Sequence, residues 1–361
     1  MLKKIALLAV SLLIVALMLA AVGCGSESTN PVPTSSAAKN SGEVLVPQKA
    51  SMLARISIGS IVSDKDTRDL YNNASKAPGL PATFDELLKR FQDTTGLDLK
   101  DFKEATLFGD IAGLTQSLSG EGVTPSGGYL GAIVNGTFKS DELIAAIEKG
   151  TGQKLESEAY KGYDIYAITD TSNSNTGSLV FLDDGVLVIG SSEAIKDVID
   201  VKNGDEKGLS GDLLGAYEKL DGSLGKLALN IPSEWLSQIP DEQDISGIGT
   251  LDLKSFKEMR MATAALDKAG SNVSLEIRAD FSSSASASSA KDTIDGVITV
   301  LQGLVKMTGG GGDKAEMSLL AKLLNSLQLS VSDNWLTLHL GLTAEQIGEL
   351  VPMLQGTSSG N

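Results

Sequence analysis

Leu97-Asp98-Leu99-Lys100-Asp101-Phe102-Lys103-Glu104 returns as Leu251-Asp252-Leu253-Lys254-Ser255-Phe256-Lys257-Glu258, with seven of eight residues the same at an offset of 154. The residues beyond each copy agree in pattern. After the first come apolar strands at 105–111 and 128–137, then a helix from Ser140 to about Lys149. After the second come strands at 259–267 and 271–281, then a helix from Ser288 to about Met307. Each half continues with a hairpin and a short helix. In the first half, Ser178–Leu182 turns at Asp183-Asp184-Gly185 into Val186–Ile189, and a helix runs from Ser192 to about Val201. In the second, Gln328–Val331 turns at Ser332-Asp333-Asn334 into Trp335–Leu340, and a helix runs from Thr343 to about Leu350. Asp-Gly and Asp-Asn tolerate the positive φ of tight hairpin turns. Ser192 and Thr343 can cap the helix starts, and Glu193 and Glu345 suit the positive dipole end.

Working outward, each half opens on an apolar strand, Ser51–Ile58 and Leu224–Ile231. Tyr163-Asp164-Ile165-Tyr166-Ala167-Ile168 alternates with period two, as a half-buried antiparallel strand does. The chain reads as α+β in two related halves, an internal duplication over 43–205 and 206–356, each an antiparallel sheet with helices packed on one face. Residues 357–361 read as a disordered tail. The first half adds a helical hairpin, Leu70–Ala77 and Thr83–Thr95, in which Thr83 caps, Glu86 completes a capping box and Gly96 stops the second helix. In the second half, Gly309–Gly312 joins the long helix to another over 315–327, a loose connector or an adjustable wall.

Composition sets the function classes. The 361 residues are 42% apolar, 21% charged and 4% aromatic, enough for two domains. A formal charge of −16 opposes nucleic-acid binding, which needs Lys and Arg against phosphate.

The first residues carry an address. Lys3 and Lys4 are the only charges before Glu27, and Ile5–Val22 is apolar apart from Ser11. Gly23 and Cys24 come next. A basic start, an apolar stretch and small residues form a secretory signal. The cysteine directly after them resembles the lipobox of bacterial lipoproteins, with Ala21 where Leu is commonest. The resemblance implies cleavage between Gly23 and Cys24, lipidation of Cys24 and a mature chain beginning there. Because an apolar stretch of about 20 residues spans a bilayer, an uncleaved anchor is the alternative. Either places the body outside the cytoplasmic membrane, or in the outer membrane of a host that has one. Cys24 is the only cysteine, so no disulfide forms within the chain. Loss of 1–23 leaves 28 basic and 46 acidic side chains, a charge of −18. That charge favours solubility and holds the body off anionic headgroups. Residues 24–42 are the lipidated cysteine and a Ser-, Thr-, Pro- and Asn-rich linker spanning roughly 25 Å.

Val46-Pro47, the run Gly96-Leu97-Asp98-Leu99-Lys100-Asp101, Gly162-Tyr163-Asp164-Ile165-Tyr166 and Leu182-Asp183-Asp184-Gly185-Val186-Leu187-Val188-Ile189-Gly190 resemble a domain-of-unknown-function family of bacterial envelope proteins. The resemblance implies an extracytoplasmic domain and supplies no activity.

Chemistry-bearing motifs lack context. His339, the single imidazole, has leucine on either side and no acid or base close in sequence. Gly-x-Ser-x-Gly at 356–360 has neither the strand nor the helix of a nucleophile elbow. Ser-x-x-Lys occurs at Ser36/Lys39, Ser223/Lys226 and Ser288/Lys291, and Ser332-Asp333-Asn334 lies downstream, but no Lys-Thr-Gly completes the penicillin-recognising set. One cysteine and one histidine cannot build a zinc site. Asp64, Asp66 and Asp69 cluster without the spacing of a calcium loop. These readings predict no catalytic residues, no metal and no cofactor. They describe an envelope lipoprotein with a non-catalytic binding or scaffolding role, attached to the membrane through Cys24. Its further partner is an envelope protein or an apolar ligand. The alternatives are a carrier of an apolar molecule between sheet and helices, and a carboxylate-based hydrolase.

Overall fold

The computed structural model describes residues 42–73, 81–110, 128–152, 154–170, 175–245, 249–269, 272–308, 321–343 and 346. The signal with Gly23 and Cys24, most of the linker, Gly309–Gly312 and the C-terminal tail lie outside the described residues. Among the described residues no helix is long and apolar enough to cross a membrane.

The first half runs β1 (Met52–Ile56), α1 (Ile58–Ser63), α2 (Lys65–Asn73), α3 (Phe84–Thr95), β2 (Phe102–Gly109), β3 (Leu130–Gly136) and α4 (Ser140–Thr151). It continues with β4 (Glu156–Tyr160), β5 (Tyr163–Asp170), β6 (Asn175–Asp183), β7 (Val186–Gly190) and α5 (Ser192–Asn203). The short α6 (Asp212–Glu218) leads into the second half: β8 (Gly225–Asn230), α7 (Ser233–Ser237), β9 (Glu242–Ile245), β10 (Gly249–Asp252), β11 (Met259–Ala269), β12 (Asn272–Phe281), α8 (Ser284–Thr308), β13 (Leu327–Ser332) and β14 (Trp335–Thr343). Twelve strands form one antiparallel sheet, ordered β13-β14-β12-β11-β8-β1-β2-β3-β7-β6-β5-β4, and β9 pairs with β10 apart from it. The opening strands of the two halves meet at its centre, with Ala54 opposite Leu227.

Both copies of the repeated motif pair an aspartate carboxylate with the amide two residues on. Asp98 caps the 3-10 turn Leu99–Asp101 by accepting from the Lys100 amide at 2.9 Å. Asp252 accepts from the amide of Lys254 at 3.0 Å, the first residue of a 3-10 turn that starts after Leu253 without a side-chain cap. Each turn delivers a phenylalanine to the core, Phe102 against Phe138 and Phe256 against Phe281. Thr83 and Glu86 make the expected capping box on α3, and Gly96 ends it at φ 76°. The cap of α5 is Ser191, accepting from the Ala194 amide at 3.3 Å, rather than Ser192.

The expectation of helices on one face is corrected in the first half. Val46, Leu53, Phe108, Ile133, Val180 and Val188 pack with Ile195, Val198 and Ile199 of α5 and with Leu213 and Tyr217 of α6. On the opposite face, Val134, Leu179 and Leu187 pack with Ile61, Phe84, Leu88 and Leu143 of α1, α3 and α4. The physical reason stands in the sequence: Leu179-Val180-Phe181-Leu182 and Val186-Leu187-Val188-Ile189 do not alternate, so both faces of β6 and β7 are apolar and both need cover. In the second half α8 lies on the face shared with α1, α3 and α4, where Ala287 and Ala290 meet Phe281 and Leu336.

Candidate functional site

A cleft of about 530 Å³ lies where the face carrying α5 and α6 passes into the second half. Its size falls within the range usual for small-molecule sites, about 300–1,000 Å³. The floor is one cross-strand row: Asn230 of β8 opposite Met261 of β11, Met261 opposite Asp280 of β12, and Asp280 opposite Trp335 of β14. The wall is α6 with its lead-in, including Ser210, Asp212 and Gly215, joined by Gln48 from the first half.

Arg260 reaches this floor because β11 bulges. The β11–β12 register shifts between Met259 and Met261, leaving Arg260 as the extra residue. A bulge re-aims a side chain that alternation would send elsewhere. Its guanidinium lies 2.8 Å from Asp280 Oδ2. Asn334 closes from the β13–β14 turn, where Asp333 holds φ 52°. Its Nδ2 donates to Asp280 Oδ1 and, at 3.1 Å, to the Phe281 carbonyl. Asp280 is 8% exposed, so its charge is offset by a cation and an amide. Ser210 Oγ donates to Gln48 Oε1 at 2.6 Å. Each carboxylate oxygen of Asp280 accepts a bond and the Ser210 hydroxyl donates to the Gln48 amide, so the serine does not rest on Asp280 as a nucleophile rests on its base.

The residues singled out from sequence fall elsewhere. His339 stands opposite Glu276 of β12 and Gln328 of β13, giving it a carboxylate neighbour that local sequence hides. Ser223 bonds Asp267 and accepts from the Lys268 amide, while Lys226 lies over the Tyr217 ring at 4.5 Å. Ser288 and Lys291 sit on α8, across the sheet from the cleft, and Lys291 pairs with Asp295. Ser36/Lys39 and the Gly-x-Ser-x-Gly at 356–360 lie outside the described residues. Asp64 and Asp66 both grip Lys268, at 2.5 and 3.0 Å, and Asp69 pairs with Lys65. Among the described residues no group of three or more His, Cys, Asp or Glu could hold a metal.

Burial alone would raise the Asp64 carboxyl, but hydrogen bonds from Lys268 and Thr67 outweigh it and hold it below the usual range. Lys268 moves up, because its bonds to Asp64 and Asp66 outweigh its own desolvation. The cleft is invisible from the sequence because its floor joins four strands and its one specific signal, the bulge, depends on strand register.

Neither a protein-family model nor a curated protein sequence matches the chain. Among solved structures, crystal form I of TP0453 is similar with a TM-score of 0.40 at 10% identity, covering 88% of this chain and 98% of that one. Crystal form III gives 0.42 at 8% identity, covering 89% and 100%. Crystal form IV gives 0.43 at 9% identity, covering 86% and 95%.

Proposed function

We propose that this chain is a lipid-anchored envelope protein, attached through Cys24, whose body binds a small ligand without transforming it. The observation that carries the binding role is the cleft at the seam: a ligand-sized space in which Arg260 and Asn334 hold Asp280, and Gln48 holds the Ser210 hydroxyl. The basic, apolar and small-residue order of 1–24 supports the anchor and the envelope location. The proposal includes descent of the two halves from a duplicated unit. Outward from the centre, one side runs β1-β2-β3-β7-β6 and the other β8-β11-β12-β14-β13, and both copies of the motif precede the second strand of their side. The added β4–β5 hairpin is then an insertion in the first half.

A second reading, carriage of an apolar molecule, is favoured by the opposite face. The row Leu107, Ala54, Leu227, Ala264, Ile277, Leu338 is apolar across six strands, and Ile277 is 40% exposed.

Mass spectrometry of the protein purified from its host's membranes tests both. The denatured mass should correspond to a chain starting at Cys24 with diacylglycerol attached, and Cys24→Ala should lose that addition. The native mass should carry a further polar ligand that leaves on denaturation. A fatty-acid or phospholipid mass in its place would favour the second reading. An unmodified mass that includes residues 1–23 would overturn lipidation at Cys24 and leave the uncleaved segment as the anchor.

A further inference from the structure

We infer that the ligand of the seam cleft is a neutral polyhydroxylated molecule, a saccharide, held against Trp335; this rests on the binding role proposed above. Three observations converge. The charges lining the cleft cancel, Arg260 and Lys219 against Asp212 and Asp280, so neither an anion nor a cation is selected. The polar groups offer donors and acceptors in alternation. Both Nδ2 hydrogens of Asn334 are spent, leaving its carbonyl oxygen to accept, while each Asp280 oxygen keeps a second lone pair. Arg260 gives one terminal nitrogen to Asp280 and keeps its other donors, and the exposed Asn230 amide supplies one donor group and one acceptor. Sugar hydroxyls, each both donor and acceptor, match such a set, and a purely apolar ligand would leave it unpaired.

The third observation is the ring. Trp335 is half-buried, packed against the main core cluster on one side and lining the cleft on the other. A large planar apolar surface beside fixed polar groups suits a sugar ring, whose faces carry C–H groups and whose rim carries hydroxyls. Met261 completes the apolar part of the floor.

Trp335 also reports the test. With Trp235→Phe, it is the only tryptophan left. The full-length lipidated protein, in mild non-glycosidic detergent, is titrated with cellobiose, maltose and N,N′-diacetylchitobiose while Trp335 emission is followed. Sodium acetate, inorganic phosphate and a short-chain fatty acid are titrated in parallel. A saturable change with at least one saccharide is expected, weakened about tenfold by Asn230→Ala and by Arg260→Gln. Asn230→Ala alters an exposed side chain and leaves the Asp280 network intact, so its circular dichroism should match the parent. Saturation by an anion or fatty acid but by no saccharide would overturn the saccharide and keep the binding role. Silence with every probe would overturn both. Saccharide binding undiminished by either variant would place the ligand elsewhere and overturn this assignment.

Discussion

The two sides of the central sheet carry the same motif ahead of their second strand and finish differently. On the α5 face, a single cross-strand row runs Phe108, Leu53, Ala228, Thr263, Arg278, Thr337. It is apolar at the first-half end, beneath α5 and α6, and polar at the other. In the first half Ala194, Ile195, Val198 and Ile199 of α5 are fully buried against this face. In the second half the same face carries Glu276, Arg278, Thr337 and His339. The difference shows how one sheet serves two ends: apolar rows are committed to packing, and the cleft opens where the row changes character.

The largest expected effect compares how tightly the two halves are packed. Ile195→Ala removes a fully buried side chain between α5 and the sheet and should cost about 3–4 kcal/mol, read as a fall in the urea midpoint. Ile277→Ala, at 40% exposure in the second half, should cost less than about 1 kcal/mol. Similar losses at the two positions would mean that the second half is packed as tightly as the first.

Next comes the tie between the halves. Lys268 of β11 holds Asp64 and Asp66 beside α1 and α2, with side chains 12%, 24% and 14% exposed. Lys268→Met would leave two carboxylates facing each other and should cost about 2–3 kcal/mol at neutral pH. Asp64 has its folded pKa depressed, so its contribution is present above the unfolded value of about 3.9 and is lost as pH falls through the folded value beneath it. The wild-type advantage over Lys268→Met should therefore be largest near neutral pH and shrink as pH falls into the carboxylate range, where the variant's facing carboxylates take up protons first. Parallel stability curves down to pH 3 would show that the pair contributes nothing specific.

These residues also show how much is legible in sequence. The capping box at Thr83 and Glu86, the turn glycine Gly185 and the strands flanking both copies of the motif obey local rules, and local rules suffice to locate them. The tie of Lys268 to Asp64 and Asp66 is hidden by about 200 residues of separation. The two-sided burial of β6 and β7 is written in their unbroken apolar runs, but neighbouring residues alone give only a hairpin there. α6 escapes sequence reading because seven residues containing Gly215 carry a weak helical signal. Only its packing onto the sheet through Leu213 and Tyr217 makes it a helix.

The repeated motif gives a smaller and sharper test. Asp98→Ala removes the side-chain cap of one 3-10 turn and Asp252→Ala a side-chain bond to the first amide of the other, and each should cost about 0.5–1 kcal/mol. Near-equal costs would support equivalent roles for the two copies. A loss confined to Asp98 would mean that only the first-half turn is under load, and the Asp252–Lys254 bond would then be incidental to stability.

The smallest expected effect lies in the wall of the cleft. α5 begins on the Ser191 side chain, whereas α6 begins after Gly211 with no side-chain cap. A Cβ added at Gly215 would meet nothing within 4 Å. Gly215→Ala should therefore gain the helix-propensity difference, about 0.5–1 kcal/mol locally, without a clash. Amide exchange in Asp212–Glu218 should slow while exchange in Ser192–Asn203 stays unchanged, since α5 is already fixed by its buried face. Because Gly215 lines the cleft, the same variant reads the wall's part in recognition. Slower exchange with unaltered Trp335 response would make α6 a passive wall. Slower exchange with tighter saccharide binding would mean that the unsubstituted protein must order this helix when the ligand arrives, and the methyl group lowers that cost in advance.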